Sequence, residues 1–66
     1  MMIVLNGAPL KVEGSCSIAD LLQDRGIDRR SVAVELNLVI VAKSMYDKTE
    51  IQTGDRLEIV QFVGGG

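Results

Sequence analysis

Three of the chain's seven glycines stand together at its end, Gly64, Gly65 and Gly66. Glycine loses more backbone freedom on ordering than any other residue, so a folded segment gains nothing from a run of them. What the run offers is narrowness. Without Cβ atoms, an extended glycine strip can enter a channel too tight for side chains and present a terminal carboxylate inside another protein's active site. A carboxylate is a poor acyl donor until its oxygen becomes a better leaving group, as adenylation by ATP makes it. The acyl adenylate then accepts a thiolate or sulfide. A frayed end, or a scar left by cloning, would also read as glycine, and the residues alone leave both readings open.

The remaining side chains supply little chemistry. Histidine is absent, which removes the commonest general base and every Cys–His or Ser–His–Asp arrangement. A single cysteine, Cys16, can form neither an internal disulfide nor a zinc site of the Cys/His type. The nine carboxylates fall among turns and predicted wet faces, with no pair placed as acid and base. The expectation is no catalytic residue, no metal and no bound cofactor. Cys16 precedes a predicted helix, where a thiol pKa can fall and redox chemistry becomes conceivable; a small, partly buried loop residue is the favoured reading.

Sixty-six residues make one domain with a thin core. An enclosed small-molecule pocket, typically about 300–1,000 Å³, is not expected in it. Seven Lys and Arg against nine Asp and Glu give a net charge of −2, the wrong sign for a nucleic-acid binder. Arg29-Arg30, the one basic doublet, reads as a solvated loop. No apolar run is long enough to span a bilayer, and Met1 to Leu5 is too short for a leader, so a cytoplasmic location is expected.

These features need elements to position them. Met2 to Leu5 is rich in strand formers and Asn6-Gly7 is a strong hairpin signal. The return strand is expected at about Leu10 to Glu13, with Pro9 suited to its start or to a sheet edge. Ser17 caps a predicted helix, Ile18 to Arg25, with Asp20 at capping-box spacing and Gly26 at the C-terminal cap. Ile18, Leu21 and Leu22 form its apolar stripe. Strands follow at Val32–Leu36 and Leu38–Val41, broken by Asn37. A polar stretch then carries Met45, Tyr46 and Ile51 as expected core anchors. Gly54-Asp55 turns the chain into a last strand, Arg56 to Phe62. The order β-β-α-β-β-β predicts a two-layer α+β domain.

This order, the start Ile3-Val4-Leu5-Asn6-Gly7 and the ending Phe62-Val63-Gly64-Gly65-Gly66 resemble the prokaryotic sulfur carriers of the β-grasp, ubiquitin-like fold. Within that group the chain is most similar to the ThiS family of thiamine biosynthesis. The resemblance implies a mixed sheet of four or five strands with one helix on one face. Residues 1–63 would be the domain and 64–66 a flexible tail. It further implies that Gly66 is the site of adenylation and thiocarboxylate formation, with Gly65 and Gly64 as the narrow approach. The implied partners are a ThiF-like E1 enzyme that uses ATP, a ThiG-like thiazole synthase, and a sulfur donor such as a cysteine desulfurase. Molybdopterin synthesis, or conjugation to lysines as a ubiquitin-like modifier, would use the same ending, as would a bare interaction domain with an inert tail.

If the helix covers the face of Leu57 and Ile59, Val60 and Phe62 lie on the other face and form a docking patch leading to the tail. Packing of Phe62 on neighbouring strands is the alternative.

Overall fold

Asn6 and Gly7 fold the first strand back on itself by adopting positive φ, 49° and 82°, the conformation that a two-residue hairpin turn demands. In the computed structural model, which describes residues 1–62, β1 (Met2–Leu5) therefore pairs at once with β2 (Ala8–Lys11). The return strand thus lies two residues earlier than the alternation of Leu10 and Val12 implies, because so short a turn leaves no slack. Pro9 falls within β2, which is an edge strand of the sheet, where its missing N–H costs no ladder bond.

Helix α1 runs Ile18–Asp24, one residue shorter than expected. Both arms of its capping box are made: the Asp20 N–H donates to Ser17 Oγ at 3.0 Å, and the Ser17 N–H donates to Asp20 Oδ2 at 3.1 Å. At the other end Gly26 takes φ +70°. Its N–H reaches the Gln23 carbonyl and that of Ile27 reaches the Leu22 carbonyl, the paired bonds of a Schellman cap.

Strands β3 (Val32–Leu36) and β4 (Val39–Val41) form a second hairpin. Asn37 and Leu38 both have positive φ, 51° and 72°, so Leu38 belongs to the turn and not to β4. Two short 3₁₀ turns, Arg29–Ser31 and Lys43–Met45, flank this hairpin. The last strand, β5 (Arg56–Gln61), lies between the hairpins, parallel to β1 and antiparallel to β3, in the order β2-β1-β5-β3-β4. Five strands and one helix, in a mixed sheet, make the β-grasp arrangement expected from the element order.

The register decides which face is buried. Val34, Val41 and Ile59 stand side by side, as do Leu36, Val39 and Leu57. On that face Ile3, Val32, Val34 and Leu57 join Ile18, Leu21 and Leu22 of α1 in one core. Tyr46 and Ile51 complete it from the long polar segment, 1% and 3% exposed. Met45, also expected to anchor there, is exposed instead: in the 3₁₀ turn the neighbouring Tyr46 takes the inward position.

Candidate functional site

Strand β5 is the element that precedes the glycines, and the turn asparagines hold its start and its middle. Asn6 ends β1, but its side chain continues the ladder: Oδ1 accepts the Ile59 N–H at 2.7 Å and Nδ2 reaches the Ile59 carbonyl at 3.4 Å. Asn37 does the same at the start of the strand, its Oδ1 accepting the Arg56 N–H at 2.9 Å and its Nδ2 donating to Asp55 Oδ1 at 3.0 Å. The other Asp55 oxygen accepts the Gln52 N–H at 2.7 Å, closing the turn that feeds β5. Residues chosen for positive φ thus also supply strand-like hydrogen bonds.

Gly64, Gly65 and Gly66 lie outside the described residues, as does Val63. The described chain ends at Phe62, just beyond β5, whose N–H still donates to the Ser31 carbonyl at 2.9 Å. Val60 and Phe62 are 54% and 59% exposed. Phe62 is therefore not packed away among neighbouring strands. Val60 stands opposite Ala33 on the face away from α1. Lys43 Nζ sits 5.2 Å from the centroid of the Phe62 ring.

The sheet leaves more apolar surface open than the sequence reading found. Leu38, Val39 and Ile40 are 87%, 66% and 72% exposed. A run of consecutive aliphatic residues normally signals a strand covered on both sides. Only the strand order, with β4 at an edge, shows that Leu38, Val39 and Ile40 stay uncovered, and nothing local in the sequence marks this.

Elsewhere in the described residues, charged side chains form ion pairs. Arg29 grips Asp47 with two bonds of 3.2 and 3.0 Å and lies over the Tyr46 ring; Arg30 pairs with Asp28 at 3.0 Å. Those hydrogen bonds hold both carboxyls below the usual carboxylate range. They favour the fold at neutral pH, and that contribution fades as pH falls through the lowered values. Being solvent-screened, these pairs add little stability, and each arginine is engaged by a carboxylate. Among the described residues no group of three or more His, Cys, Asp or Glu side chains is placed to hold a metal. A groove of about 770 Å³ lies between β2 and α1, lined by residues such as Lys11, Asp20, Asp24 and Arg25. No helix of the described chain is long and apolar enough to cross a membrane.

Cys16 is buried, and burial first, then the charges of Asp20, Asp24 and Glu50, push its thiol pKa up. This reverses the lowering that a position before a helix suggests: a helix of seven residues with acidic neighbours gives the thiolate no favourable field. Alkylation of Cys16 by iodoacetamide at neutral pH is expected to run at least about tenfold slower than for an unhindered thiol, and to reach the free rate only in denaturant. Native-state labelling at the free rate would show the site to be open.

The ThiS family model matches residues 3–66. The chain is 39% identical over 66 residues to the sulfur carrier protein ThiS of Bacillus subtilis, covering 98% of this chain and 100% of that one. It is 47% identical to a thiazole synthase of Paramagnetospirillum magneticum along its whole length, but spans only 20% of that protein. A thiazole synthase of Magnetococcus marinus matches in the same way, at 38% identity and again 20% of its length. Among solved structures, the crystal structure of the thiamine biosynthesis protein ThiS from Geobacter metallireducens superposes with a TM-score of 0.85 at 33% identity, each chain fully covered. With the family model matched over residues 3–66 and ThiS proteins similar along the full chain in sequence and fold, the chain belongs to the ThiS family.

Proposed function

We propose that this chain is a sulfur carrier for thiamine biosynthesis, its cargo bound at the C-terminal carboxylate of Gly66. The observation that carries the reading is the match to the ThiS family through the terminal glycines, joined to a fold that offers little other chemistry. The carboxylate oxygen attacks the α-phosphorus of ATP on a ThiF-like activating enzyme, releasing pyrophosphate and forming an acyl adenylate. The terminal sulfur of a persulfide on a donor such as a cysteine desulfurase then displaces AMP to form an acyl disulfide, and a thiol reduces its S–S bond, leaving the thiocarboxylate and a disulfide. A ThiG-like thiazole synthase takes that sulfur into the thiazole ring. Two thiazole synthases that contain a segment similar to this chain support that pairing. The carrier acts as a cosubstrate: the catalytic groups and the ATP site belong to its partners, and its place of work is the cytoplasm.

The test is intact mass after incubation with ATP, the activating enzyme and a sulfur source. Replacement of oxygen by sulfur adds about 16 Da. An unchanged mass under active adenylating enzymes would overturn the reading.

Val60 and Phe62 are the proposed docking contacts on the activating enzyme, since they form exposed apolar surface beside the tail. Phe62→Asp is expected to lower adenylation at least about 100-fold, as loss of a central aromatic contact at an interface does, with circular dichroism unchanged. Retained activation would place the docking surface elsewhere.

A further inference from the structure

The Lys43 ammonium is bound on several sides at the point where the described chain ends. Its Nζ donates to the Val32 carbonyl at 2.6 Å and to the Arg29 carbonyl at 3.2 Å, with the Arg30 carbonyl at 3.5 Å. These acceptors occupy the three protons of the ammonium. They belong to the 3₁₀ turn at Arg29–Ser31 and the residue after it, and Ser31 is the residue whose carbonyl takes the Phe62 N–H. The same ammonium lies 5.2 Å from the centroid of the Phe62 ring, within the range of a cation–π contact. Main chain and ring of Phe62 are thus tied to one small turn, the main chain directly and the ring through Lys43.

We propose that Lys43 is a positioning residue: by fixing Phe62 against the Arg29–Ser31 turn, it sets the point and direction from which the glycine tail leaves the sheet. Phe62 is otherwise more than half exposed. A carbonyl-anchored cation is a firmer support than a free surface lysine, because its position is set by the turn and not by its own four-carbon stem. The inference rests on the proposed role of the tail, since direction matters only if the terminus must reach a partner's site. Reaction requires the reacting atoms within about 3–3.5 Å of one another, so a chain that leaves the sheet at varying angles spends less time in a productive pose.

Lys43→Met keeps an unbranched stem, one atom shorter, but removes the charge and all three donors. The expected result is a rise of about 2- to 5-fold in the KM of the activating enzyme for the carrier, the range of an exposed cation–π contact expressed as a ratio, with kcat unchanged. Lys43→Arg, which retains cation and donors, restores the wild-type KM. On the isolated chain, amide exchange at Phe62 is expected to quicken in Lys43→Met by a similar factor while exchange at Val34 is unaltered. Pairing Lys43→Met with Phe62→Leu in a double-mutant cycle is expected to show non-additive effects on KM. Equal acceleration at Phe62 and Val34, or strict additivity in the cycle, would reduce Lys43 to a general stabiliser and overturn the proposal. Exchange at Phe62 needs no partner, so a chain that is never adenylated would refute the carrier role without deciding how Phe62 is held.

Discussion

Deletion of Gly66 is expected to abolish thiocarboxylate formation, leaving the mass unchanged where the full chain gains about 16 Da. The shortened chain still ends in a glycine carboxylate, so its intrinsic acyl chemistry is the same. What it loses is reach: one extended residue spans about 3.3–3.6 Å, as much as the whole distance over which nucleophile and acceptor must meet. A displacement of 1 Å at a reacting centre already costs about 100-fold in rate, and this one is several times larger. Residues 1–62 carry the whole described fold, so circular dichroism and thermal unfolding are expected to stay at wild-type values. Formation of the thiocarboxylate at the normal rate would mean that the activating site does not measure the length of the tail, and Gly66 would lose its assignment as the reacting position.

The second large effect is expected in the core. Leu57 is 1% exposed and stands in β5 between Leu5 of the parallel neighbour and Leu36 of the antiparallel one. Leu57→Ala removes buried methyl groups from a place where two ladders limit collapse, at a cost of about 2–5 kcal/mol. A domain of this size has a total stability of about 3–10 kcal/mol, from the usual 0.05–0.15 per residue. The urea midpoint is therefore expected to fall by roughly half, with an unchanged slope. Val60→Ala, three residues on but on the open face, is expected to shift stability by less than about 0.5 kcal/mol. If both variants had equal effects, the assignment of the two faces of β5 would be wrong.

Much of this was legible in the sequence because local rules and the fold agree. Asn6-Gly7, Ser17 with Asp20, and Gly26 each name one backbone conformation, and each takes it. The alternation in Arg56–Phe62 set Leu57 and Val60 on opposite faces, and the packing of α1 makes the Leu57 face the inner one. What was not legible depends on neighbours distant in the chain. Leu38–Val41 reads as a strand, yet Leu38 falls in the turn and Val39 and Ile40 lie exposed on an edge strand. Met45 and Tyr46 are adjacent and both apolar, and the geometry of a 3₁₀ turn decides which goes inward. At the site, the apolar residues of the tail's base could be found by alternation, whereas Lys43 could not. Its role depends on carbonyls 11 to 14 residues earlier and a ring 5.2 Å away, and backbone acceptors leave no mark in a sequence.

The place of β5 also bears on how the domain comes to be folded. Residues 56–61 form the middle strand, yet the chain supplies them last among its elements. Until they are in place, the β1–β2 and β3–β4 hairpins have no common neighbour, and an isolated hairpin is marginal in water. Closure must join Val4 and Leu5 to residues more than fifty positions away, a non-local step of the kind that slows folding. A nascent chain stalled before residue 56 would consequently expose the inner faces of both hairpins to aggregation and proteolysis. The strand that precedes the glycines is thus also the one that licenses the fold.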